Sequence, residues 1–171
     1  MKVRKLVTIA IMVSIAIVLS IIESFIPTGI PGVKLGLANI VILVTLYELG
    51  ICEASMINLL RVLVVGLVRG TFLSMGFFMS LTGCVLSLGI MILFYLLIKK
   101  FSIIGVSVIG SIFHVTGQIL IAMIYLGTAY IVLYLPFIAI SAIITGVFVG
   151  IVAHLIIKTG VIKKQKEKYD F

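Results

Sequence analysis

The sequence predicts an all-α integral membrane protein with six transmembrane helices. The chain has 171 residues, of which 63% are hydrophobic and only 11% charged, whereas a soluble domain is about 45–50% apolar and about 25% charged. A single domain of this size could not hide so much apolar surface from water. Several uncharged segments also reach the length of about 20 residues that a helix needs to cross a bilayer. These observations exclude a soluble enzyme, a DNA-binding domain and a disordered tail.

The first predicted helix covers residues 6–22, which carry no charge and follow a basic start. A secretory signal peptide can begin in the same way. No small-residue cleavage site follows, however, and the downstream chain is as apolar as the beginning. We therefore interpret 6–22 as a membrane span. Residues 23–34 contain two prolines and two glycines, which are typical of a loop.

Five further helices are predicted after this loop. Gly50 separates helices 2 and 3, and the step from Gly127 to Thr128 divides a long uncharged stretch into helices 5 and 6. Pro136 is expected to kink helix 6, because its ring clashes with the preceding turn. Closed β-barrels also span membranes, but their strands alternate polar and apolar residues, and the apolar runs of this chain do not. A single domain, 1–171, is predicted, with further helices at 35–49, 51–69, 72–98, 103–126 and 129–157 and a basic cytoplasmic tail at 158–171.

The distribution of basic residues predicts the orientation in the membrane. With an even number of helices, ten basic residues fall on one side and only Lys34 and Arg69 on the other. The positive-inside rule assigns the richer side to the cytoplasm. Both termini of a multi-pass protein of the cell membrane are therefore predicted to be cytoplasmic. The ten residues are Lys2, Arg4, Lys5, Lys99, Lys100, Lys158, Lys163, Lys164, Lys166 and Lys168.

Polar side chains inside the predicted spans are the main functional signal, because they are costly in lipid and usually mark function. Arg61 lies near the middle of helix 3, with Asn58 three residues before it and Arg69 eight residues after it. At about 100° per residue, Asn58 and Arg69 differ by roughly 20° in azimuth. The three residues are predicted to form one polar stripe. Arg61 is too deep to snorkel easily to the headgroups, so a cavity or a buried partner is expected around it.

Polar and cationic residues concentrate in the predicted outer half of the bundle, where a carboxylate or phosphate ligand would satisfy them. His114 and Gln118 are four residues apart and share one face of helix 5. Simpler interpretations stay open, since Lys34 and Arg69 can snorkel to the headgroups and His114 with Gln118 can be only an interhelical hydrogen-bond pair. The candidate substrate-binding residues are Lys34, Asn39, Arg61, Arg69, His114 and Gln118.

Helix 1 carries a candidate docking surface for another protein. Ala10 and Ser14 are four residues apart, and small residues at this spacing let a second helix approach closely in lipid. Ordinary packing inside the chain is the alternative.

Neither a metal nor a cofactor is predicted, and the chain is not predicted to be an enzyme. Cys52 and Cys84 lie in apolar segments, without a CxxC or Cys/His spacing. The phosphate-binding pattern GxxxxGK[ST] does not occur, so any ATP would have to be hydrolysed by a partner. His114 as a general base would have no acid partner at the same depth.

Two segments carry a resemblance to a known family. A loop rich in proline and glycine leads into Val33-Lys-Leu-Gly-Leu-Ala-Asn39, and helix 5 contains Gly110-Ser-Ile-Phe-His-Val-Thr-Gly-Gln118. With six short predicted helices in so small a chain, the sequence resembles the heptaprenyl diphosphate synthase component I family, also called the Gx transporter family. That family is similar to the substrate-binding S-components of energy-coupling factor (ECF) transporters. The resemblance covers nearly the whole chain.

The two family labels imply different functions. A prenyl diphosphate synthase holds Mg²⁺ with two aspartate-rich clusters, whereas this chain has a single aspartate, Asp170. The synthase label therefore implies at most an accessory role. An S-component binds a micronutrient on its outer side and docks through small residues of helix 1 onto a membrane subunit driven by two cytoplasmic ATPases. Ala10 and Ser14 stand where S-components have an AxxxA motif, from which Ser14 departs, and Val115 stands where the family often has an Asn.

The sequence thus favours an S-component-like bundle that captures a small anionic or polar solute from outside the cell. Arg61 and Arg69 would hold the negative group, and Asn39 and Gln118 would orient its polar edges. The expected partners are the solute, membrane lipid, a transmembrane coupling subunit and two cytoplasmic ATPases, with no nucleic acid. Two other classes stay open: a non-catalytic accessory subunit of heptaprenyl diphosphate (isoprenoid) synthesis, and an independent channel or ion-coupled carrier.

Overall fold

The described part of the chain folds into helices joined by short turns, without strands. The structure, a computed structural model, describes residues 3–26, 36–98 and 101–160, and of Arg4 only the backbone. A 3₁₀ helix at Ala129–Tyr134 precedes the last α-helix. The α-helices are α1 (Val3–Glu23), α2 (Asn39–Glu48), α3 (Ile51–Val68), α4 (Met75–Leu97), α5 (Ile103–Leu126) and α6 (Leu135–Thr159).

Five helices are long and apolar enough to cross a membrane, namely α1, α3, α4, α5 and α6. Many of their large apolar side chains face outward, such as Ile124 with 73% of its surface exposed and Phe137 with 73%. Lipid is the solvent that accepts such a surface without cost, so the described helices indicate a multi-pass membrane protein.

Helix α2 differs from the others because it lies inside the bundle. It has 10 residues and so is about 15 Å long, which is about half the thickness of the hydrocarbon layer. All the residues from Val41 to Leu46 are buried, on every side of the helix. A helix that is apolar all round is stable only when other helices surround it. The other helices of the bundle supply that environment, since α2 contacts α1, α3, α4, α5 and α6.

Glycines set a close contact between α4 and α5. A Cβ atom at Gly83 would lie 2.7 Å from the carbonyl oxygen of His114, and one at Gly117 would lie 2.9 Å from Gly83 Cα. Further along, Gly110 faces Met91 in the same antiparallel pairing. The missing side chains let the two backbones touch, which is a common way of packing helices in lipid.

A second close contact joins α5 and α6. Gly146 and Gly150 form a GxxxG pattern on α6 and face Ser111 and Ser107 of α5. Cβ atoms at these two glycines would lie 2.8 and 2.7 Å from backbone atoms of α5. Helix α5 is therefore held between α4 and α6, and its polar residues face the interior.

Two predicted boundaries differ from the structure for local reasons, and a third agrees with it. Helix α2 begins at Asn39 rather than at residue 35, because Gly36 has a positive φ of 91° that a helix cannot include. Helix α4 begins at Met75 rather than at residue 72, because Leu73 has a φ of 61° and Ser74 caps the helix. The break at Gly127 is confirmed, since this residue ends α5 with a φ of 62°.

The predicted kink at Pro136 is wrong. Pro136 lies in the first turn of α6, where the backbone N–H has no partner within the helix and a proline is readily accommodated. The preceding residues form the 3₁₀ helix instead of a first half of α6.

The contact at Gly83 gives a test of the fold. We expect Gly83→Ala to lower the free energy of unfolding by about 1–3 kcal/mol, because the new methyl group overlaps the backbone of α5. Gly89→Ala is the matched control on the same helix, since a Cβ atom there meets nothing within 4 Å. Helix melting in detergent, followed by far-UV circular dichroism because the chain has no tryptophan, measures both. Equal stability of the two variants would contradict the close contact.

Candidate functional site

Arg61 is buried in the middle of the bundle, with only 3% of its surface exposed. It lies on α3, one helical turn after Asn58. Its Nη2 atom donates hydrogen bonds to Asn58 Oδ1 (2.9 Å), to Asn39 Oδ1 (3.0 Å) and to Cys84 Sγ (2.8 Å). One nitrogen of the guanidinium thus connects α2, α3 and α4.

The partners of Arg61 are themselves held by further hydrogen bonds. Asn58 donates from Nδ2 to the carbonyl oxygen of Cys84 (3.0 Å), and Asn39 donates from Nδ2 to Ser87 Oγ (3.4 Å). These bonds turn both amide oxygens toward the guanidinium. We call these five residues the Arg61 cluster: Asn39, Asn58, Arg61, Cys84 and Ser87.

The charge of Arg61 has no carboxylate partner among the described residues. The ion pair that the structure does describe joins Lys5 and Glu53. The buried Nε atom of Arg61 also makes no hydrogen bond to any described residue. A buried ion without a counter-ion is strongly unfavourable, and three neutral acceptors compensate for only part of that cost. The site is therefore suited to an anion that brings the missing charge.

His114 and Gln118 lie beside this cluster on α5. Both are buried, and their Nε2 atoms are 2.7 Å apart. This hydrogen bond joins two residues of α5. A Cβ atom at Gly36 would lie 3.0 Å from Asn39 Nδ2 and 3.7 Å from His114 Cδ2. Gly36 therefore lies between the amide of Asn39 and the imidazole of His114, close to both side chains.

Glu23 connects the end of α1 to the same region. Its buried carboxylate accepts hydrogen bonds at Oε1 from the backbone N–H groups of Gly36 and Leu37 (3.2 Å for Leu37). These groups precede the first turn of α2, where a negative charge also interacts favourably with the helix dipole. Glu23 thereby fixes the position of Gly36 beside Asn39.

Arg69 lies apart from the Arg61 cluster. It follows the last residue of α3, is exposed, and lines a groove of about 330 Å³ between the end of α3 and the beginning of α4. Of the three residues in the predicted stripe, Asn58 and Arg61 belong to the Arg61 cluster and Arg69 lines the groove. The lining residues are Val62, Val65, Gly66, Arg69, Thr71, Ser74, Met75, Gly76, Phe77 and Ser80.

The structure brings together Asn39, Arg61, His114 and Gln118 of the six candidate residues, and Lys34 lies outside the described residues. Sequence reasoning missed three side chains that hold this group, Cys84, Ser87 and Glu23. A thiol in an apolar span gives no polar signal. Glu23 did give one, as a lone carboxylate at the end of a span, but its backbone partners lie 13 and 14 residues further along the chain.

The predicted docking residues lie on an exposed face of α1. Ala10 and Ser14 are both exposed, and Ser14 Oγ donates a hydrogen bond to the carbonyl oxygen of Ala10 (2.9 Å). The hydroxyl group is therefore satisfied within the helix and does not oppose contact with lipid or with an apolar partner helix. Within the described residues, no group of His, Cys, Asp and Glu side chains could hold a metal ion.

The family of the chain follows from its sequence match. The model of the family described as heptaprenyl diphosphate synthase component I matches residues 12–156, which include every described helix of the bundle at least in large part. This chain belongs to that family. The resemblance found in the sequence is thus confirmed. No curated protein and no solved structure matches the chain.

A double-mutant cycle tests the Arg61 cluster of this family member. We expect Asn58→Leu to lower the free energy of unfolding by about 1–3 kcal/mol or more, because it leaves the buried guanidinium with fewer acceptors. In an Arg61→Met background the same change should cost less, with a coupling of about 1 kcal/mol. Helix melting in detergent measures all four proteins.

The control for this cycle is Ser55→Ala on the same helix, whose hydroxyl bonds only the local carbonyl of Ile51. We expect it to show no coupling to Arg61→Met. Additive effects of Asn58→Leu and Arg61→Met, within about 0.3 kcal/mol, would contradict the described hydrogen bond.

Proposed function

We propose that the protein is a substrate-binding membrane subunit of an ECF-type transporter that captures a small anionic or polar micronutrient. One observation carries this proposal: the buried guanidinium of Arg61, which has no described carboxylate partner and has an unpartnered Nε atom. A site that keeps a desolvated positive charge is pre-organised for a negative ligand, because its donors are already turned away from water.

The neighbouring side chains give the proposed site its selectivity. Arg61 would bind the carboxylate or phosphate, as a guanidinium can donate two parallel hydrogen bonds to either group. Asn39 and Gln118 would orient the polar edges of the ligand, with His114 beside them. Arg69, and Lys34 in the predicted outer loop, would attract the ligand from solution, since exposed positive charges raise the rate at which anions arrive.

The proposed subunit lies in the cell membrane with both termini in the cytoplasm, which requires the short helix α2 to count as a sixth crossing. Basic residues of the chain are concentrated at the termini and between helices 4 and 5, which favours this orientation. The groove beside Arg69 then opens to the outside. A transmembrane coupling subunit would contact Ala10 and Ser14, and two cytoplasmic ATPases would drive release of the ligand.

Native mass spectrometry of the gently purified protein tests the ligand. We expect a co-purifying anionic compound on the wild-type chain and at least a tenfold lower occupancy on Arg61→Gln, because a lost charge-assisted contact is worth about 1.5–3 kcal/mol. Arg69→Gln is the control and should keep the compound with a smaller loss, since Arg69 is exposed. Equal occupancy on wild type and Arg61→Gln would contradict the assigned role.

Co-purification tests the docking surface. We expect Ser14→Leu to reduce recovery of a coupling subunit and its ATPases, because a bulky side chain prevents close approach of helices. Ser141→Leu on α6 is the matched control, as it changes another exposed serine of a membrane helix. If both variants recover the same partners as the wild type, the surface around Ser14 is not the docking site.

The family match favours a second candidate function. The family description names one component of a heptaprenyl diphosphate synthase, so the chain can be a non-catalytic membrane accessory subunit of isoprenoid synthesis. Co-purification separates the two proposals directly. Recovery of a soluble prenyl synthase in place of ATPases would favour the accessory role.

A further inference from the structure

We infer that the groove between α3 and α4 is the entrance to the Arg61 cluster and that the ring of Phe77 is the barrier between them. This inference rests on the proposed function, because it gives the route by which a solute would reach Arg61. The groove and the cluster are separate in the structure, since Arg61 is not among the groove-lining residues.

Phe77 and Val62 form the layer between the two sites. Both residues line the groove, and both pack with Cys84 in one small apolar cluster. Phe77 is 6% exposed and Val62 is 4% exposed. Directly behind this layer, Cys84 Sγ lies 2.8 Å from Arg61 Nη2. The order from solvent inward is therefore the groove, the apolar layer, the thiol and the guanidinium.

The ring of Phe77 is held by contacts that a local movement can break. A Cβ atom at Gly66 would lie 2.8 Å from Phe77 Cδ2 and 3.2 Å from Cε2, so the ring rests directly on the backbone of α3. On another side it meets Phe72, whose ring centroid is 5.0 Å away and whose surface is 44% exposed. The adjoining groove of about 330 Å³ offers space into which the ring can rotate.

The lining of the groove favours anions over cations. Arg69 supplies a positive charge, and no acidic residue is among the lining side chains. Hydroxyl groups of Thr71, Ser74 and Ser80 supply polar contacts along the wall. A negatively charged solute would thus be concentrated above Phe77 before the ring moves, by the local potential of the groove.

Cys84 is a native reporter for this route. In a Cys52→Ser background it is the sole cysteine, so labelling by a water-soluble methanethiosulfonate, which forms a disulfide and releases methanesulfinate, reports access past Phe77. The rate of such a reaction depends on access to the sulfur. The full-length protein in lipid vesicles is treated with the anionic sulfonatoethyl reagent and, separately, with the cationic trimethylammonium-ethyl reagent.

Phe77→Ala should raise the rate of labelling by the anionic reagent about tenfold or more, because it removes the barrier. Phe94→Ala is the matched control: it removes the same ring from another position of α4, which does not line the groove and packs in a different apolar cluster, and it should leave the rate within about twofold. Gly66→Ala should also accelerate labelling, because the new methyl group displaces the ring while Phe77 is retained. The cationic reagent should react more slowly in all of these proteins.

Two results would overturn the inference. Equal acceleration by Phe77→Ala and Phe94→Ala would show general loosening of α4. Unchanged labelling in both Phe77→Ala and Gly66→Ala would show that Phe77 blocks no route. The readout needs no bound ligand, so it is independent of the proposed function. If labelling is accelerated but no anion co-purifies with the protein, the route past Phe77 stands and the proposed anionic ligand is rejected. If an anion co-purifies in an Arg61-dependent manner but labelling is unchanged, the ligand stands and its entrance lies elsewhere.

Discussion

The structure depends on a positive charge that is kept away from water. Burying a guanidinium costs several kcal/mol unless other groups replace its hydration. In this chain, the Nη2 atom of Arg61 donates hydrogen bonds to acceptors on α2, α3 and α4. Those acceptors are amide oxygens and a thiol, which carry partial charges only. The cluster therefore joins α2, α3 and α4 while leaving the net charge uncompensated, and this combination makes the centre of the bundle suitable for an anion.

Close helix contacts bring the polar groups to the same place. Gly83 and Gly117 let α4 and α5 touch, and this contact sets Cys84 toward Arg61 while His114 lies near Gly36. Larger residues at these glycines would separate α4 from α5, and would move His114 and Gln118 of α5 away from the Arg61 cluster. The short helix α2 completes the arrangement, because it is buried on all sides and delivers Asn39 to the centre of the bundle. The helix packing that stabilises the bundle in lipid thus also assembles the polar residues of the site.

Composition was sufficient to predict a helical membrane protein, and the depth of Arg61 in an apolar span was sufficient to predict a buried partner. Cys84 was not predictable as a partner, since it reaches Arg61 only through the packing of α4 on α3. The position of Arg69 in the groove rather than in the Arg61 cluster follows from distance along α3, because eight residues of helical rise separate the two arginines by about 12 Å. Pro136 was misjudged because the same residue that kinks a helix interior fits its first turn.

The central claim is that the Arg61 guanidinium binds an anion. A crystal structure of the protein with selenate, an anion located by its anomalous scattering, tests this most directly. The account predicts a selenate oxygen within hydrogen-bond distance of Arg61 Nε, with the anomalous peak of its selenium about 4 Å from that nitrogen. A guanidinium that is paired with a carboxylate of the chain itself, with no anion beside it, would contradict the account.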